Sequence, residues 1–190
     1  MNHVVDFRST NMILTDPSFR VQEFIHKRPE GFCKDPQRLI YGFFGVFRFL
    51  SNFELCQVRY DGRIFNSTEA AYMSAKVDPS SPKSDAYKDA LASPSLKPSD
   101  ARKLGRQLTE LRDGWDDMRL QVMYEVNLSK YQDNPHLREK LLATEDLELV
   151  EANWWNDTFW GECNGIGENN LGKTLMRIRD ELRLVYSTES

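Results

Sequence analysis

The chain has 190 residues, 40% of them hydrophobic and 28% charged, with a formal net charge of −4. That length supports one domain with a real core, the composition excludes wholesale disorder, and the charge excludes a bulk nucleic-acid binder while leaving room for a local basic groove. No stretch is apolar enough for a membrane span or a signal-peptide core, so the protein is expected to be soluble and cytoplasmic.

Residues 1–37 show no sustained period and read as an N-terminal extension. From Leu39 to Phe49 the chain is densely aromatic, and Leu50 to Phe53 reads as a break. Cys56, Val58 and Tyr60 alternate, Asp61 and Gly62 suit a tight turn, and Ile64 and Phe65 resume the apolar run, which predicts a β-hairpin. Asn66, Ser67 and Thr68 precede a short helical pattern over Glu69–Val77 that Asp78 and Pro79 close. Residues 80–99 are rich in Pro, Ser and Lys, with a short helix expected over Ala86–Ala92. Ser99 and Asp100 are placed to cap a helix reaching about Leu111. Asp113 and Gly114 lead into the longest helix, with Trp115, Met118, Val122 and Val126 on one stripe. Asn134 and Pro135 form an N-cap and first-turn pair for a helix over Pro135–Ala143. Leu147 and Leu149 suggest a brief extended piece. A last helix begins near Asn170, carries Leu171, Leu175, Ile178 and Leu182, and frays into residues 187–190. The expected fold class is α+β, a helix-dominated single domain with a small β element toward the N-terminal side.

Three of the four tryptophans fall in or beside one glycine- and asparagine-rich loop: Trp154, Trp155 and Trp160 stand around Asp157, followed by Gly161, Gly165, Gly167 and Gly172. Flat rings for stacking, glycines for close backbone approach and a following helix N-terminus suit a nucleotide-like ligand. Upstream, Glu69 and Lys76 stand seven apart; on one helix that spacing nearly superimposes them. The residues alone leave several readings open. Glu69 also fits the third position of a capping box begun by Asn66, Lys76 fits a solvated helix end, Asp157 fits an Asx turn, and Trp115 fits a core position. Three cysteines (Cys33, Cys56, Cys163) and three histidines (His3, His26, His136) are scattered without ligand spacing, so no metal is expected and the thiols are expected to be reduced.

Several ordered segments together carry a resemblance. They are Leu50, Ser51, Asn52 and Phe53; Gly62 and Phe65 through Tyr72, with Ala75 and Lys76; Gly114 and Trp115 with Met123; Leu141 to Thr144; Leu149 to Glu151; Asn156 to Gly161; and Gly167 to Gly172 with Leu175, Met176 and Arg179. Over about Tyr41 to Leu182 the chain resembles the YbiA-like, or NADAR, family of N-glycosidases. The resemblance implies domain limits of 38–186, no cofactor, and hydrolysis of a ribosyl C1′–N bond. Two substrate classes follow from it: ADP-ribosylated guanine in DNA or RNA, and small phosphorylated ribosylamino-pyrimidines of riboflavin synthesis. A third reading is a module that binds ADP-ribose without cleaving it.

The expected site has Glu69 as catalytic carboxylate and Asp157 as its partner. Lys76 acts either as phosphate ligand and counter-ion or as a Schiff-base nucleophile. Ser51, Asn52, Phe53, Tyr72, Trp115, Trp160, Gly161, Gly167, Asn169 and Gly172 are expected to bind substrate, with the N–H groups near Asn169–Gly172 holding a phosphate. The cationic segment Lys83–Arg106 is taken to favour a polymeric substrate. The chain departs from the family's usual residues at Ala70 and Met73, where histidine and glutamine are common, and at Glu162, Cys163 and Asn164; substrate identity is open there. Oligomeric state cannot be read from the sequence.

Overall fold

The computed structural model describes residues 39–187, and the expectations for residues 1–37 and for the tail beyond Ser187 lie outside the described residues. The elements in chain order are β1 (Leu39–Tyr41), a 3-10 helix (Gly45–Leu50), β2 (Val58–Tyr60), β3 (Arg63–Phe65), α1 (Thr68–Ser74), α2 (Ser84–Leu91), α3 (Pro98–Gln107), α4 (Trp115–Asp133), α5 (Pro135–Leu142), β4 (Glu148–Val150), β5 (Ala152–Asn153), β6 (Glu162–Cys163) and α6 (Asn170–Ser187). The protein is a helix-dominated α+β fold with three two-stranded sheets among the described residues. Its contacts divide it into two compact units, one of residues 50–139 and one formed by the flanking segments.

In the central unit, β2 and β3 make the expected hairpin, with Val58 opposite Phe65 and Tyr60 opposite Arg63. Asp61 and Gly62 both have positive φ (48° and 73°), as a two-residue turn that matches strand twist requires. Helix α1 packs against α2, α3 and α4, and α4 packs along β2. Gly105 permits the α1–α3 contact: a Cβ there would meet Met73 Sδ at 2.0 Å and Met73 Cβ at 3.2 Å. Met73, one of the departures from the family's pattern, is thus a packing residue here. Val58, Phe65, Ala70, Ala71, Leu91, Ala101, Val122, Met123, Val126 and Tyr131 form the core of this unit.

Several boundaries differ from expectation. Helix α1 is capped by Ser67, whose Oγ accepts the Ala70 N–H at 3.2 Å. Asn66 is not the cap, because its Nδ2 donates to the carbonyls of Pro94 and Leu96. Glu69 is therefore the second helical residue and does not close a capping box. The helix also stops at Ser74, because Val77 pairs with Leu111 and the Arg112 N–H donates to the Lys76 carbonyl at 2.9 Å. The same pairing ends α3 at Gln107, short of Leu111. That helix begins with Pro98 at its first position and has no side-chain cap, so Ser99 and Asp100 lie inside it.

In the flanking unit, β1 runs parallel to β4 (Ile40 opposite Leu149), and β5 runs parallel to β6. Leu39, Tyr41, Val150 and Ala152 cluster there, and α6 buries Leu171, Leu175, Ile178 and Leu182 as its spacing predicts. No described helix is long and apolar enough to cross a membrane.

Candidate active site

The chemistry-bearing residues of the central unit gather at both ends of α1. Glu69 is buried, at 7% exposure, and its backbone N–H donates to the Asn52 carbonyl at 3.0 Å. At the other end, Tyr72 and Trp115 lie with ring centroids 5.2 Å apart, and Lys76 Nζ stands 5.1 Å from the Tyr72 ring and 5.7 Å from the Trp115 ring. Tyr72 is buried and Trp115 half-buried, so Trp115 is neither core nor a bare platform.

Burial pushes the Lys76 ammonium below the ordinary lysine range; the Glu69 carboxylate opposes that shift, and Arg102, Arg106 and Arg119 reinforce it. Lys76 therefore feels Glu69 even though the two do not share a helix, and it sits in the field of three guanidinium groups. Arg102 and Arg106, four residues apart on α3, flank Gly105, so the close α1–α3 contact is what carries them toward Lys76. This unit thus offers a buried carboxylate, a desolvated amine, two aromatic faces and a concentration of positive charge. Such an arrangement can stabilise developing charge and hold an anionic substituent.

The loop between β4 and α6 places the remaining candidates in the flanking unit. Asp157 is half-buried; its Oδ1 accepts the Trp160 N–H at 2.9 Å, and its own N–H donates to Asn153 Oδ1 at 3.0 Å. One carboxylate oxygen therefore caps a turn, as an Asx residue does. Trp160 packs edge-on against Phe159, while Trp154 and Trp155, 63% and 37% exposed, contact Phe44, the first ring tilted against it and the second edge-on.

The glycines of this loop are close-contact glycines. A Cβ on Gly161 would meet the Glu151 carbonyl at 2.0 Å, one on Gly167 the Gly161 carbonyl at 2.1 Å, and one on Gly172 the Leu149 carbonyl at 2.0 Å. Their absent side chains thus leave room for the protein's own backbone. Asn169 is buried and uses its side-chain amide twice, accepting the Glu151 N–H at 3.0 Å and donating to the Leu149 carbonyl at 2.9 Å. The N–H groups of Asn169, Asn170 and Leu171 donate to the carbonyls of Gly161, Phe159 and Trp160. The expectation that they would hold a phosphate meets N–H groups already engaged, and the positive charge suited to a phosphate gathers around Lys76.

Among the described residues no group of His, Cys, Asp and Glu could hold a metal ion. Cys56 and Cys163 are half-buried free thiols, burial pushes the Cys56 thiol up, and His136 is exposed. Sequence reasoning missed Arg102, Arg119, Asn127 and Lys130 as individual residues. The signal for the last two was present: polar side chains on the buried face of the longest helix, beside Met123 and Tyr131.

The fold is helix-dominated α+β, with an acid in the first turn of one short helix and an amine and two aromatic faces gathered at that helix's far end. Residues 32–183 match the model of the NADAR domain, and the chain belongs to that family. It is similar to a Nostoc punctiforme protein named an N-glycosidase, with 46% identity over 47% of this chain and 58% of that one. It is also similar to a Vibrio vulnificus riboflavin biosynthesis protein, with 34% identity over 71% of this chain and 35% of that one. The chain therefore spans less than two thirds of the length of both relatives. Among solved structures, that of the Escherichia coli protein YbiA superimposes with a TM-score of 0.68 and 28% identity, covering 84% of this chain and 94% of the other.

Proposed function

We propose that the protein is an N-glycosidase that hydrolyses a ribosyl C1′–N bond, removing ADP-ribose from guanine bases of nucleic acid. The observation that carries this reading is that buried Glu69 acts electrostatically on half-buried Lys76, as do the guanidinium groups of Arg102, Arg106 and Arg119. As the C1′–N bond stretches, positive charge grows on the sugar, and the Glu69 carboxylate stabilises it. Water adds to C1′ and the base nitrogen leaves with a proton. Asp157 is the second acid of the proposal, polarising that water or the departing base. The cations suit a diphosphate, which carries more charge than one phosphate. The exposed Trp154 and Trp155 rings resemble the stacking surfaces that bind bases of a polymer. A module that only binds the nucleotide has no use for a buried carboxylate at this place.

Lys76 has two possible parts in this scheme. As an ammonium it binds phosphate; as a neutral amine, which its lowered affinity for protons favours, it attacks the C1′ aldehyde of the ring-opened sugar and loses water to form a Schiff base, which a second water hydrolyses to free the amine and the sugar. Borohydride added during turnover decides between them: a reduced adduct on Lys76 supports the covalent route, and its absence removes that route.

A second reading, cleavage of a phosphorylated ribosylamino-pyrimidine, is favoured by the name of the Vibrio relative. The test is incubation of the protein with guanine-ADP-ribosylated DNA and, separately, with the ribosylamino-pyrimidine phosphate, followed by mass spectrometry of the products. Free ADP-ribose from the DNA supports the first reading. Cleavage of the small molecule alone replaces it with the second, and silence on both removes the enzyme reading.

A further inference from the structure

We propose that Lys130, with Asn127 and Met123, is a positioning residue for Glu69 that acts through the Ser51–Asn52 turn. Met123, Asn127 and Lys130 follow one another at helical spacing on the buried face of α4. All three hold the same two residues. Lys130 Nζ donates to the Ser51 carbonyl at 2.9 Å, Asn127 Nδ2 donates to Asn52 Oδ1 at 3.3 Å, and Asn52 Nδ2 donates to Met123 Sδ at 3.4 Å. The turn is closed on its other side by the Glu54 N–H, which also donates to the Ser51 carbonyl. From there the path is one bond long, because the Asn52 carbonyl accepts the Glu69 N–H at 3.0 Å. The helix thus fixes the turn, and the turn fixes the backbone of the residue bearing the candidate catalytic carboxylate.

A fully buried lysine demands an explanation. Lys130 is 0% exposed, and lysine is among the residues least often found in that state. Removing an ammonium from water is costly, and an apolar residue of similar length commonly leaves stability unchanged or improved. A packing role alone would therefore be filled as well by methionine. What methionine cannot supply is the donor to the Ser51 carbonyl. The Tyr131 ring, 5.1 Å from Nζ, offers the ammonium a partial electrostatic match without competing for that carbonyl.

The consequence for turnover rests on the reading of Glu69 as the catalytic acid, but the geometry is testable without any substrate. The perturbation is Lys130→Met, and the readout is amide hydrogen exchange of the full chain, residue by residue. Losing a charge-assisted hydrogen bond loosens the turn, so the Glu69 N–H should exchange about ten-fold faster or more. The N–H groups of Ala71 and Ala75, bonded within α1 to the carbonyls of Ser67 and Ala71, should change much less. Global destabilisation would accelerate all three together. If the three amides shift by the same factor, or none shifts, the proposal is overturned. Asn127→Leu, which removes a different tie to the same turn, carries the same test should Lys130→Met fail to fold. With exchange altered as expected, a fall in kcat at nearly constant KM on the substrate the wild type cleaves extends the effect to catalysis. An unchanged kcat in that case counts against Glu69 as the catalytic acid and leaves the positioning intact.

Discussion

Gly172→Ala is a sharp test of how the motif glycines work. The new Cβ would stand 2.0 Å from the Leu149 carbonyl and 2.5 Å and 2.6 Å from the two polar atoms of the Asn169 amide. The first neighbour is strand backbone and cannot swing away, so α6 must back off from β4. That movement breaks the two hydrogen bonds of Asn169, to the Glu151 N–H and the Leu149 carbonyl. Two such bonds are worth about 2 kcal/mol together, and overpacking adds roughly 1–3 kcal/mol. Alanine recovers about 1 kcal/mol through its helix preference. The net cost is then about 2–4 kcal/mol, or a drop of about 4–16 °C in Tm for a chain of this length. Urea and thermal unfolding of the two proteins measure it. Gly62→Ala is the comparison: nothing lies within 4 Å of its Cβ, so only the left-handed backbone (φ +73°) resists, at about 1–2 kcal/mol. A Gly172→Ala protein as stable as wild type would refute the close-contact reading and return these glycines to ligand approach.

Asp157→Asn keeps an oxygen able to accept the Trp160 N–H, so Tm should stay near wild type, while loss of the charge should lower kcat by about 100-fold or more. Turnover within a few-fold of wild type would make Asp157 a turn residue only. Lys76→Met concerns pH. The folded Lys76 releases its proton below the ordinary lysine range, mainly through burial, whereas the unfolded chain keeps it up to that range. Between those points the unfolded state binds more protons, so wild-type stability gains from rising pH. Urea midpoints from neutral to alkaline pH should show this component in wild type and lose it in Lys76→Met; parallel profiles would contradict it. Arg102→Gln should raise KM for a phosphate-bearing substrate by about 10-fold, the worth of one hydrogen bond to a charged group, with kcat little changed. A KM that stays put would remove Arg102 from the binding set.

Much of the fold is legible wherever local chemistry decides it. The Asp61–Gly62 turn, the Asn134–Pro135 start of α5 and the apolar stripe of α6 stand where their residues predict. Pairings between distant segments were not legible. Val77 with Leu111, and β1 with β4, join stretches far apart in sequence, and no periodicity reports them. For that reason the helical pattern over Glu69–Val77 overruns α1 by three residues, and the pattern reaching Leu111 overruns α3 by four. The site shows the same division. Residue types and order pointed to Glu69 and Lys76, although the spacing argument used a helix that ends before Lys76. Asn66 and Ser67 are both good caps, and only the demand of the Pro94 and Leu96 carbonyls on Asn66 decides between them. The Arg102, Arg106 and Arg119 set was invisible because it assembles from two helices, α3 and α4, that each pack on α1, the first of them through Gly105.

The central claim is that Glu69 drives cleavage of a ribosyl C1′–N bond. Its most direct test compares wild type with Glu69→Gln on guanine-ADP-ribosylated DNA, with free ADP-ribose counted by mass spectrometry. Glutamine keeps the shape and the backbone bond to Asn52 but removes the charge. Wild type should release ADP-ribose, and the variant should be slower by about 100-fold or more, the usual worth of a group that stabilises transition-state charge. A Glu69→Gln protein that releases ADP-ribose at nearly the wild-type rate would contradict the account.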